Sequence, residues 1–185
     1  MEQARILGEG RCVLVVVDVQ EAFRSAIGDF ALIASNIARA SRGFQILDMP
    51  MIVTEQYPAG LGRTAEEILL TLPDDFVPVE KTAFSAYGSD GFRSKLADTG
   101  ADQVVLCGVE THVCVSQTAH DLLDQGLGVH VLTDSVGSRF EHDKHAGLKR
   151  MMGSGVISSS VEMALFEVMR DAKHPKFKEM QALIK

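Results

Sequence analysis

Residues 104–126, VVLCGVETHVCVSQTAHDLLDQG, decide how this chain is read. Val104 to Cys107 is a short apolar run rich in β-branched residues, the mark of a strand buried on both faces. Gly108 breaks it. A helical pattern starts at Val113, carries apolar or small residues at Val115, Ala119, Leu122 and Leu123, and closes at Gly126. Cys114 therefore falls near the first turn of a helix, at the carboxyl end of a strand. Unpaired amides and the positive dipole end favour an anion there. A thiol so placed can have a depressed pKa, and the thiolate is the nucleophile. The same amides can hold an oxyanion. Against this stands the plain alternative that a free cysteine is a small buried hydrophobe.

Moving outward, Cys12 to Val17 (CVLVVV) is a second continuous apolar run, and it meets Asp18. Ligands of open α/β sheets sit at such strand ends, although a strand-end acid can equally cap a helix or bind backbone amides. Phe23 follows as a pocket wall or as ordinary core. Phe30 to Phe44 has helical spacing through Leu32, Ile33, Ile37 and Ala40. Met51 to Thr54 reads as a strand, and 55–62 as a loop without regular structure because of Pro58, Gly60 and Gly62. Phe76 to Val79 reads as an edge strand, where proline is tolerated. Lys81 comes next, a solvated surface lysine unless a partner positions it. A helix over Gly91 to Ala97 leads back to Val104. Beyond Gly126, Gly128 to Leu132 is a strand that runs on to Asp134, a second strand-end acid. Glu141 to Met152 is helical, with His142 and His145 read as surface residues, since two histidines are too few for a metal. Val156 to Ser158 is a last strand. A helix from Ser160 to Arg170 has Met163, Phe166 and Met169 as its core stripe. The tail HPKFKEMQALIK is an amphipathic piece for the surface or for a partner subunit. Strands alternating with helices predict a parallel sheet covered on both faces.

The 185 residues suit one domain spanning 1–185, and the 46% apolar fraction suits a globular core. A net charge of −7 argues against nucleic acid or an anionic membrane as the main partner. No apolar stretch approaches the ~20 residues of a membrane span, and MEQARILGEGR lacks the apolar core of a secretory signal. The three cysteines form no CxxC pair, so a reducing cytoplasm is the expected setting. Without a Walker or GxGxxG motif, no nucleotide cofactor is indicated.

The strand-end residues Asp18, Lys81 and Cys114, together with VVVDVQEAF (15–23), KTAFS (81–85) and GVETHVCV (108–115), give the chain its resemblance to the isochorismatase-like cysteine hydrolase superfamily. The likeness covers almost the whole chain. TEQYPAGLG (54–62), GSR (137–139) and HPKFKEMQ (174–181) look closest to isochorismatase-domain-containing hydrolases, whose substrates are mostly unassigned. The resemblance implies a three-layer α/β/α fold on a six-stranded, Rossmann-like parallel sheet, and a homo-oligomer, dimer or higher. It implies a triad of Asp18 as general base, Lys81 as its electrostatic support and Cys114 as nucleophile. It further implies an oxyanion hole from the amides of Val113 and Cys114, and a cis peptide between Val109 and Glu110. Nicotinamidases of this superfamily bind a metal through Asp-x-His and a further histidine. Thr54-Glu55-Gln56-Tyr57 supplies none here, so neither metal nor cofactor is expected. Gln20, Phe23, Tyr57, Phe84 and Glu110 are the expected substrate-binding residues. The reading that follows is a cysteine hydrolase acting on a C–N bond of a small-molecule substrate. The alternative is a non-catalytic or redox-responsive protein that keeps the fold and the thiol.

Overall fold

The computed structural model describes residues 6–185. Its central strand, β1 (Cys12–Val17), is buried along its whole length. Cys12, Leu14 and Val16 enter one apolar core, while Val13, Val15 and Val17 enter another. That alternation is the strand period of two meeting two covered faces, which is why the run carries no polar residue.

Parallel neighbours flank β1, with β2 (Met51–Gln56) on one side and β4 (Gln103–Val109) on the other. With β3 (Val79–Lys81), β5 (Gly128–Gly137) and β6 (Ile157–Ser159) they form a six-stranded sheet in the order β3-β2-β1-β4-β5-β6. The order reverses between β1 and β4, the switch point where open α/β sheets bind ligands. The helix α1 (Phe30–Ile46) covers one face, the short α2 (Pro58–Leu61) and α3 (Glu66–Leu69) follow β2, and α4 (Asp90–Thr99) and α5 (Ser116–Asp124) cover the other face. The chain continues through α6 (Glu141–Gly153), which joins α4 and α5, and through α7 (Val161–Met169) and α8 (Phe177–Ile184), which join α1. The three-layer α/β/α fold is the one expected. No helix among the described residues is long and apolar enough to cross a membrane.

Several local expectations fail for physical reasons. Phe76 to Pro78 is irregular, and β3 instead starts at Val79 and carries Lys81 as its last residue. Residues 58–61 form a turn of helix after all, because a proline at the first helical position gives up an amide that has no partner there anyway. Leu32 faces solvent, and α1 buries Phe30, Ile33, Ala34, Ile37, Ala40 and Phe44 instead. Met163 is likewise exposed, and α7 packs through Val161, Ala164, Leu165, Val168 and Met169.

Candidate functional site

The register brings the strand ends together. Val17 lies beside Thr54 of β2 and Gly108 of β4, and Gln56 lies beside Lys81. Asp18, just past β1, takes a left-handed backbone with φ 55° that turns its carboxylate back under the strand ends. Thr54 Oγ1 donates to its Oδ1 at 2.7 Å and Lys81 Nζ donates to its Oδ2 at 2.6 Å. The pair is sealed from water, with side-chain exposures of 0% for Lys81 and 2% for Asp18. Such burial is tolerated only where every remaining donor is used. Lys81 meets that condition: its ammonium also donates to Gln56 Oε1 at 2.7 Å and to the carbonyls of Ala83 and Phe84, each at 3.1 Å.

Cys114 stands on the next strand end. After β4 the chain turns through Glu110, at φ 52°, into a wide π-turn over Thr111–Val115 that runs straight into α5. Cys114 is 6% exposed, and the Asp18 carboxylate acts on its thiol. Burial and the Asp18 carboxylate push it up to about 12, with Lys81 pulling the other way. The depressed thiol expected at a helix start is therefore not what this site holds, because desolvation outweighs the helix terminus. At rest the proton stays on sulfur.

Other expected site residues fare differently. The Val109–Glu110 peptide is trans, since no cis bond occurs among the described residues; the turn is made by the left-handed Glu110 instead. The Val113 amide donates to the Glu110 carbonyl at 2.9 Å, so it is already engaged and not free to hold an oxyanion. Gln20 is fully buried, with its Nε2 on the carbonyls of Gln56 and Gly62 and its Oε1 on the Gln56 amide. It braces the loop after β2 and has no polar atom left for a substrate. Phe23 packs against the α1-side core. Tyr57 and Phe84 are exposed aromatics after β2 and β3. Tyr57, Pro58, Glu80, Lys81, Thr82 and Ala83 line a cleft of about 320 Å³ over this end of the sheet. Asp18 and Cys114 lie outside that lining. Glu110 is nearly buried, and its carboxylate accepts from the Arg139 backbone amide at 3.1 Å and from Arg139 Nε and Nη2 at 3.3 and 3.4 Å. Asp134 accepts from the Val161 amide and so caps α7.

Sequence reasoning missed Thr54, Gln56 and Arg139. The signal for the first two was the polar run TEQ at the end of an apolar strand that neighbours Asp18. His112 also went unremarked: its Nδ1 meets Ser138 Oγ at 3.1 Å, and its Nε2 lies 3.7 Å from Glu110. Among the described residues no group of three or more His, Cys, Asp or Glu side chains converges as a metal cage.

A doubly covered parallel sheet with its polar cluster at the switch point places the chain among Rossmann-like α/β proteins. Its kinship is narrower than that. The isochorismatase domain family matches residues 12–163. "Isochorismatase domain-containing protein 2" of Danio rerio is 42% identical over 173 residues, spanning 93% of this chain and 86% of that protein. A solved structure described as the MAR1 ribonuclease of Caenorhabditis elegans is 38% identical with a TM-score of 0.91, covering 97% of this chain and 92% of that one. YcaC of Escherichia coli, described as an octameric hydrolase of unknown specificity, shares the fold at a TM-score of 0.85 and 22% identity, over 100% of this chain and 97% of its own. The chain belongs to the isochorismatase domain family, and that membership supports a hydrolase-type function.

Proposed function

We propose that this chain is a cysteine hydrolase that cleaves the C–N bond of a small amide, nitrile or urea through a covalent acyl-enzyme. The observation that carries the reading is a buried carboxylate, held by Lys81 at 2.6 Å, whose charge acts on the equally buried Cys114 thiol. A nucleophile beside a base that a third group orients is the pattern of an activated nucleophile. As substrate enters, Asp18 takes the thiol proton and Sγ bonds the carbonyl carbon. The C–N bond breaks and the amine leaves with that proton. Water, deprotonated by Asp18, then attacks the thioester; the acid is released and the proton returns to sulfur. Lys81 holds Asp18 in place throughout, and the Cys114 amide is the remaining donor proposed for the oxyanion.

Metal independence rests on Thr54-Glu55-Gln56-Tyr57, which offers no histidine beside the site. The octameric description of the YcaC neighbour favours a homo-oligomer. Two other readings lose ground. A redox-responsive protein needs an accessible thiolate, whereas this thiol is buried and raised to about 12. RNA hydrolysis, suggested by the name of the Caenorhabditis elegans neighbour, fits poorly with a net charge of −7.

The test is intact-protein mass spectrometry with a panel of small amides, nitriles and ureas. An adduct on wild-type protein that is absent in Cys114→Ala, together with loss of product release in that variant and an unchanged melting curve, is the expected result. A folded Cys114→Ala that still turns over substrate sinks the mechanism.

A further inference from the structure

Granted that reading of Cys114, the charges around it define the substrate class. We propose that the substrate of this site is electrically neutral: an uncharged carboxamide, nitrile or urea that carries no carboxylate.

A site for an acid needs an unbalanced cation, and the obvious ones here are already paired. Lys81 has three N–H bonds and four acceptors within 3.1 Å, all of them protein atoms. Its charge is balanced by Asp18 at 2.6 Å. Arg139 sits 52% exposed at the end of β5, but its Nε and Nη2 face Glu110 Oε2. The Arg139 backbone amide holds the other Glu110 oxygen at 3.1 Å, so the two groups are tied at both ends. Glu110 thus neutralises Arg139 while being 6% exposed itself. Two ion pairs, Lys81–Asp18 and Arg139–Glu110, thus stand near the thiol with no net charge between them. Of the residues lining the neighbouring cleft, Glu80 and Lys81 are the charged ones, and Lys81 is already balanced by Asp18. The exposed side chains Tyr57, Phe84 and Phe140 offer aromatic surface rather than charge. An incoming carboxylate would meet no unpaired cation in a water-poor site, so its lost hydration would go uncompensated.

The charge can be read without any turnover. Iodoacetamide and iodoacetate have nearly the same shape and differ by one negative charge. Each is reacted with wild-type protein and with Cys114→Ala, which subtracts Cys12 and Cys107, and Cys114 modification is followed by mass. The expected result is a preference for iodoacetamide at least about tenfold beyond that of free cysteine in the same buffer. Glu110→Gln, which releases Arg139, narrows the preference toward the free-cysteine value. Should that variant fail to fold, Arg139→Gln serves instead and keeps or widens it. Iodoacetate reacting as well as iodoacetamide overturns the proposal. Hydrolysis of carboxylate-bearing amides in preference to their neutral counterparts also overturns it, while leaving the cysteine chemistry standing. Charge selectivity without hydrolysis of any panel member supports the proposal and counts against the hydrolase reading instead.

Discussion

Two aspartates sit on buried strands of one sheet, one just past its strand and one within it, and they meet different partners. Asp18 follows β1, is 1% exposed, and has its oxygens on Thr54 and Lys81. Asp134 lies in β5, is exposed, and accepts the Val161 amide at the start of α7. In one dimension they look alike. The difference is what lies alongside: β1 sits in mid-sheet, so its end collects a threonine from β2, a lysine from β3 by way of β2, and a cysteine from beyond β4. Asp134, inside β5, instead meets the chain on its way into α7. A strand-end acid becomes chemical when neighbouring strands deliver partners, and structural when a helix start does.

The sharpest test of this contrast is Asp18→Asn. It should lower hydrolysis by about 10²–10⁴-fold, the usual worth of a positioned general base. The same change removes a charge that raises the thiol, so alkylation of Cys114 at pH 8 should become faster while hydrolysis falls. Alkylation and hydrolysis falling together would contradict the assigned role. Gly108→Ala comes next, because Gly108 lies in register between Val17 and Val136, separating the two strand ends. Its φ is 135°, and a Cβ there would stand 2.2 Å from the Val17 carbonyl oxygen. Displacing Val17 moves Asp18, so activity should drop sharply, with a stability loss of about 3 kcal/mol seen in urea unfolding. Asp134→Ala should cost about 1 kcal/mol, as a lost helix cap does, and leave hydrolysis within twofold of wild type. The smallest effect belongs to His130, inside the same strand. Both ring nitrogens are buried without a hydrogen-bond partner, and burial holds its pKa below the ordinary 6.5. The unfolded chain therefore takes up the proton first. Stability should be fully present above pH 6.5 and decline as pH falls from there toward the lowered folded value. In His130→Leu that part of the slope should be missing from melting curves taken between pH 7 and pH 5.

The contrast also explains what could be read in one dimension. The sheet was legible because its strands are apolar on both faces, and CVLVVV cannot sit anywhere but in the middle. Asp18, Lys81 and Cys114 were legible as strand ends, and only the resemblance set Asp18 apart from Asp134. The stripes of α1 and α7 were misjudged at Leu32 and Met163, since an apolar residue at the margin of a stripe is decided by neighbours several elements away. Gln20 looked like a substrate ligand because a polar residue after a strand end usually is exposed; here the loop after β2 folds over it and consumes its amide. The raised thiol was hidden for the same reason: helix position is local, whereas desolvation is the sum of everything packed around it.

Lys81 belongs to the three-residue edge strand β3, which pairs with β2 alone. Short edge strands open at far lower free energy than the centre of a sheet. The site is thus bolted to the sheet centre at Asp18 and Cys114 but latched at its rim by Lys81. When that rim frays, Asp18 loses its counter-ion while the two apolar cores stay packed. Loss of function on warming is then a local event, and a protein that still looks folded to circular dichroism has already let go of its lysine.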